Sequence, residues 1–180
     1  TEYGLRSGGG DYKIPFFQPF HIKTKDSLRY IEYTPFRIGT NVIGYVDNKA
    51  KYTIILGAHF DHLGYGEDSN SRYTGLTPMI HNGADDNASG TAALLELAHL
   101  LKKEKKSPYN YLFIAFSGEE LGLFGSKYFV EHPTIDLQKV NYMINMDMVG
   151  RLNDSTHTLT IGGIGTSPTW NSIASLKDNF

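Results

Sequence analysis

Two continuous apolar runs and one long amphipathic stretch frame the chain. Tyr52 to Leu56 and Tyr111 to Phe116 are unbroken runs rich in β-branched and aromatic residues. That composition suits strands buried on both faces, as in parallel sheets. Tyr142 to Met146 reads as a third buried strand, and Leu159 to Ile161 as a fourth. Arg37 to Val46 holds another strand, ended by the turn residues Asp47-Asn48-Lys49. From Ser89 to Lys106 the period changes to that of a helix. Ala92, Leu95 and Ala98, with Leu94, Leu97 and Leu101, form a broad apolar face. Lys102, Lys103, Lys105 and Lys106 crowd the end that the helix dipole makes negative, and Pro108 stops the element. A second helix is predicted over Leu121 to His132, ended before Pro133, and a third begins within Trp170 to Leu176.

The remaining stretches are connections. Residues 1 to 20 are Gly-rich and then aromatic, a loose start that packs late. Gly64 to Pro78 is a polar loop of a length that is often functional. Strand, helix, strand, helix, strand is the pattern of an α/β domain with a mostly parallel sheet.

Composition narrows the classes. The chain has 180 residues, enough for one domain with a real core. With 40% hydrophobic and 20% charged residues it is globular rather than disordered. A net charge of −2 gives no reason to expect nucleic acid or an anionic membrane as partner. No apolar stretch approaches the roughly 20 residues of a membrane span. The absence of Cys excludes disulfides and thiolate metal sites.

Six acidic residues fall in four short motifs, with a His ahead of them: Gly57-Ala58-His59-Phe60-Asp61, Gly83-Ala84-Asp85-Asp86-Asn87, Ser117-Gly118-Glu119-Glu120 and Asn145-Met146-Asp147-Met148. Each follows the C-terminal end of a predicted strand or opens the next helix, which is the ligand-binding edge of open α/β sheets. Carboxylates gathered there with no Lys or Arg among them would repel strongly at low dielectric, and a divalent cation relieves this. Imidazole with carboxylates suits Zn²⁺ or a similar ion.

Within the motifs, several assignments stay open. Asp61, two residues after His59, shares its face on an extended segment, and orients either the imidazole or its loop. Asp85 suits a metal, while Asp86, Asn87 or Ser89 caps the following helix. Asn87-Ala88-Ser89 also matches a glycosylation acceptor, discounted because the segment is expected to be buried. Glu119 and Glu120 lie between Gly118 and Gly122, whose freedom allows a turn bringing both to one cavity, one as ligand and one as general base. Asp147 ends an apolar strand between two Met residues, with Arg151 or a metal as its partner. His21, His81, His99, His132 and His157 have no comparable context, although His81 lies near the Asp85 loop. Asp68-x-Asn70 hints at a Ca²⁺ loop but lacks its glycine and its terminal Glu.

The segments GAHFDH, HNGADDNASG, FSGEELGLFGS and NMDMVGR, in that order from His59 to Arg151, resemble the co-catalytic zinc aminopeptidases of metallopeptidase family twenty-eight. The resemblance implies one domain over residues 1–180, a three-layer phosphorylase/hydrolase-like α/β globule with a mixed, mostly parallel central sheet flanked by helices. It implies two Zn²⁺ ions per intact site: His59 and Asp147 on one, Asp85 bridging, Glu120 on the second. Glu119 is then the general base and acid, Asp61 and Asp86 support the ligands, and the Asp85–Asp86 peptide is cis. The family's fifth ligand, a His further downstream, is expected after Phe180. The implied activity is hydrolysis of peptides at a free N-terminus, in an exported or periplasmic setting. Three alternatives stand beside it: a single-zinc glutaminyl cyclase, a carboxypeptidase-type relative using Arg151, and a non-catalytic interaction domain of the same fold.

Overall fold

The structure, a computed structural model, describes residues 6–7, 16–22, 37–104, 106–153 and 155–170. Six strands form one mixed sheet: β1 (Arg6–Ser7), β2 (Phe17–Ile22), β3 (Arg37–Val46), β4 (Tyr52–His59), β5 (Tyr109–Phe116) and β6 (Val140–Asn145). The order is β1-β3-β5-β4-β6, with β2 also paired to β3. The β3 pairings are antiparallel, whereas β5-β4-β6 is parallel. Helix α1 (Gly90–Lys103) joins β4 to β5, and α2 (Phe124–Glu131) leads from β5 toward β6.

The two helices cover opposite faces of the sheet. Leu94 and Ala98 of α1 pack on Ile54, Leu56, Tyr111 and Phe113, while Phe129 of α2 packs on Ile43, Ile55, Leu112 and Ile114. Alternate residues of β4 therefore feed both cores, which explains the unbroken apolar run. The two connections leave β4 and its neighbours in opposite directions, so the crevice for a ligand opens at the C-terminal end of β4.

Register does the rest. His59 lies opposite Phe116, and Gly57 opposite Asn145. The three parallel strands thus end level, and the residues just beyond them start from one edge.

Several elements differ from expectation. On α1 the buried stripe is Gly90, Leu94 and Ala98, flanked by Leu97 and Leu101; Ala92 and Leu95 face solvent, Leu95 being 49% exposed. The helix ends at Lys103, with Glu104 already extended, before Pro108 is reached. α2 starts at Phe124 rather than Leu121, because Gly118, Gly122 and Leu123 adopt positive φ and hold the preceding segment in turns. β6 is an edge strand among the described residues, and Met143 and Ile144 are 43% and 41% exposed, so it is not buried on both faces as its composition suggests. β2 forms where only a loose start is expected; its alternate residues Gln18, Phe20 and Ile22 are buried. Leu159 to Ile161 forms no strand. The hydrogen bonds of that stretch are local, such as Asn153 N–H to the Thr158 carbonyl. The helix expected over Trp170 to Leu176 lies, beyond Trp170, outside the described residues. Residues 1–150 and 151–180 form two compact units. No helix among the described residues is long and apolar enough to cross a membrane.

Candidate metal centre

His59 is the last residue of β4, and it is 2% exposed. Its Nδ1 lies 3.0 Å from the Asp61 backbone carbonyl, an acceptor, which fixes the proton on Nδ1 and leaves Nε2 with a lone pair. Nε2 is buried and makes no hydrogen bond. Yet three carboxylate oxygens converge on it: Asp86 Oδ1 at 3.1 Å, Asp147 Oδ1 at 3.6 Å and Glu119 Oε2 at 3.8 Å. A buried imidazole nitrogen facing three acceptors without a hydrogen bond is costly unless a cation sits among them. His59, Asp86 and Asp147 offer donor atoms within 4.8 Å of one another. This imidazole–carboxylate set fits a zinc-type ion.

The electrostatics carry the same signature. Burial pulls the His59 pKa down, but the Asp147 and Glu119 carboxylates, with the Asp61 carbonyl, outweigh it and leave it above its ordinary value. Burial lifts the Glu119 carboxyl, and Glu120, Asp147 and Asp61 add to this against the opposing pull of His59.

Each of the other site residues is held by identifiable partners. The Asp61 carboxylate accepts the backbone N–H of Glu119 at 3.1 Å and of Glu120 at 3.2 Å. Its side chain therefore clamps the Glu119–Glu120 turn, while its main-chain carbonyl orients His59. The base of that turn is fixed by Asn41, fully buried, which accepts from Ser117 N–H and donates to the Gly125 carbonyl. Within the turn Glu119 faces His59, and Glu120 reaches the neighbouring His62, with Oε1 2.8 Å from Nδ1.

The acidic pair before α1 exchanges the places expected of it. Asp86, not Asp85, faces His59, and it also belongs to a second group of donors with His62 and Glu120. The Asp85 carboxylate accepts the Gly150 N–H at 2.9 Å, and its carbonyl accepts from Ser89 Oγ at 2.6 Å. The backbone is extended at Asp86 (φ −106°, ψ 94°), so consecutive side chains diverge and only one enters the cluster. The cis peptide lies between Asp86 and Asn87, one bond later than expected.

Asn87 is a residue whose part the sequence left open. It is 2% exposed, which removes it as a glycosylation acceptor. Its Oδ1 accepts from Gly90 N–H, capping α1, and from Met148 N–H, while Nδ2 donates to the Met146 carbonyl. One side chain thus grips the backbone on both sides of Asp147. Gly90 makes this approach possible, since a Cβ there would collide with the Met146 carbonyl and with Asn87 itself. Asn87→Ala would orphan these buried groups. It is expected to lower stability by about 1–3 kcal/mol, read from urea unfolding.

Among the other candidates, Asp68 is accounted for by its ion pair with Arg37. His81 bonds Ser71 Oγ and meets the ring of His62 edge-on.

Comparison with known proteins identifies the family of the chain. Residues 41–180 match peptidase family M28. The chain belongs to that family. A probable leucine aminopeptidase of Arthroderma otae is 35% identical over 119 residues, covering 63% of this chain and 30% of that protein. The fold matches a Zn-dependent exopeptidase from Parabacteroides distasonis with a TM-score of 0.63 at 21% identity, covering 83% of this chain and 49% of that one. It also matches a glutaminyl cyclase of Porphyromonas gingivalis with a TM-score of 0.60 at 25% identity, covering 74% and 46%. The chain therefore spans about a third of the curated relative and about half of each solved structure. As an M28 member it carries the α/β fold expected from its strand and helix pattern.

Proposed function

We propose that this chain carries the zinc centre of an aminopeptidase acting on peptides with a free N-terminus. The observation that carries the reading is the buried, unbonded Nε2 of His59 facing the carboxylates of Asp86, Asp147 and Glu119. His59, Asp86 and Asp147 would hold one ion. Asp86 also reaches a second position with Glu120. Zinc held there would supply a Lewis acid able to polarise a carbonyl oxygen and to lower the pKa of adjacent water from about 16 toward about 7.

The chain's own groups do the proton work. Glu119 stands outside both donor groups, with its carboxylate 3.8 Å from His59 Nε2. It takes the proton of the attacking water and returns it to the amine that leaves. Burial holds its pKa above the ordinary carboxylate value, the direction that suits a group which must return the proton it takes. Asp61 keeps the Glu119 backbone in place through both cycles. The partly exposed carboxylates of Asp86 and Asp147 favour a substrate with a protonated α-amine.

The test is the fate of a short peptide with N-terminal leucine, followed by mass spectrometry. Release of free leucine, lost on chelation and restored by zinc, is expected; an intact peptide under zinc-loaded conditions contradicts the reading. The likeness to a glutaminyl cyclase supports a second reading, in which an N-terminal glutamine peptide loses ammonia and keeps its length. The same assay run on a peptide with N-terminal glutamine separates the two: release of free glutamine marks the first reading, loss of ammonia from a peptide of unchanged length the second.

A further inference from the structure

We propose that Asn70, carried on the loop 64–81, is a positioning residue for the Glu119–Glu120 turn, and that the Arg37–Asp68 ion pair holds it in register. The inference rests on the reading of Glu119 as proton carrier and adds a residue which that reading does not use.

The main-chain groups of the turn can be accounted for one by one. The N–H groups of Glu119 and Glu120 go to the Asp61 carboxylate. The Glu119 carbonyl accepts from Gly122 and Leu123 within the turn itself. The Glu120 carbonyl is left, and Asn70 Nδ2 donates to it at 3.2 Å from a position 50 residues earlier in the chain. Asp61 grips the N–H side of the turn and Asn70 its C=O side, so rotation about either contact alone is blocked. Turning the Asn70 amide over would set two oxygens against each other, which fixes Nδ2 as the group on the carbonyl.

The other half of the amide shows that packing did not choose this residue. Asn70 Oδ1 is buried and has no hydrogen-bond partner. An orphaned acceptor lowers stability, and an apolar side chain of the same size would avoid it. What the amide offers in return is its bond to the turn. The residue before it, Ser69, has φ +59°, a left-handed conformation that a residue with a side chain keeps only where its surroundings impose it.

The loop is built to hold that position. The His81 N–H closes its ends on the Gly64 carbonyl at 2.8 Å. Asp68 and Asn70 stand on either side of Ser69 and serve different partners. Asp68 is tied to the start of β3, where Arg37 Nη1 donates to both of its oxygens at 2.7 and 2.6 Å. β3 also sends Asn41 to the base of the same turn, on Ser117 and Gly125. One strand therefore supports the turn twice, directly through Asn41 and by way of the loop through Arg37, Asp68 and Asn70. The ion pair is half open to water, with Arg37 53% and Asp68 27% exposed, so its share is the smaller one.

The experiment compares the full-length protein with Asn70→Leu and Asn70→Asp, both close to Asn in size and neither able to donate at that point. In saturating zinc, kcat for a peptide with N-terminal leucine is expected to fall by about 10–100-fold, with KM within about threefold of the parent. Asn70→Leu exchanges one unpartnered oxygen for another, so its melting temperature should stay within about 3 °C of the parent's. In chelated protein, amide hydrogen exchange followed by NMR should quicken about tenfold at Glu119 and Glu120 and stay unchanged at Leu112 and Ile114 of β5. Asp68→Ala should lower kcat by no more than about fivefold and do nothing further in the Asn70→Leu background. Parent-like kcat in either Asn70 variant overturns the proposal, as does exchange that quickens equally at Leu112 and Ile114, the mark of a merely structural role. An Asp68→Ala loss that persists in the Asn70→Leu background overturns the part given to the ion pair. A parent that releases no leucine removes the aminopeptidase reading, and the exchange comparison, made without metal or substrate, still decides whether Asn70 holds the turn.

Discussion

Glu119→Gln is expected to reduce turnover by roughly 10²–10⁴-fold while leaving zinc content unchanged. The substitution keeps the shape of the side chain and removes its ability to take a proton. The backbone of Glu119 is held by Asp61 irrespective of what its side chain carries. The side chain belongs to neither group of potential ligands, so the ions should stay. A split between activity and metal content is the mark of a proton carrier, and a ligand would lose both together. Hydrolysis assays and elemental analysis on the same preparation read it directly. A Gln variant that turns over at the parent's rate ends the assignment.

Asp86→Ala is expected to empty the centre, because the shared carboxylate contributes to both donor groups. Zinc should fall from the parent's stoichiometry toward zero. Asp85→Ala, one residue away, should behave differently. It gives the exposed Gly150 N–H to water and is expected to cost no more than about 0.5–1.5 kcal/mol of stability, with zinc retained. The pair of variants distinguishes the arrangement seen here from its reverse, in which Asp85 bridges and Asp86 supports. Zinc lost with Asp85→Ala and kept with Asp86→Ala would favour the reverse.

The contrast at this pair shows what a sequence can carry. GADDNASG announces an acidic turn before a helix at a strand edge, which serves capping, a bound cation or both. Which of two neighbours enters depends on one backbone residue. The extended φ and ψ at Asp86, and the waiting Gly150 N–H for Asp85, arise from segments that meet only in the fold. The apolar runs of β4 and β5 were legible because both strands are covered on two faces, and composition records burial. β6 has the same composition with a different outcome: it lies at the edge, and periodicity says nothing about neighbours.

The supporting residues were harder to see. Asn87 and Asn41 are polar letters that look like turn or strand residues, yet each ties together backbone segments far apart in the chain. Their role is created by burial, which no local pattern encodes. His62 stood only as the last letter of GAHFDH. Two His residues three apart around an acidic residue, just past a buried strand, were a signal available in the sequence. Asp61 illustrates a different limit: its importance was readable, but the partition between its carbonyl, on His59, and its carboxylate, on the Glu119–Glu120 turn, was not.

His59 Nε2 and the carboxylates of Asp86 and Asp147 are expected to surround a zinc ion. Anomalous diffraction across the zinc absorption edge, from crystals of protein purified with its metal, tests it most directly. A peak about 2.0–2.2 Å from His59 Nε2 and from a carboxylate oxygen of each Asp is the predicted result. A fully zinc-loaded protein whose anomalous peaks all lie elsewhere would contradict it.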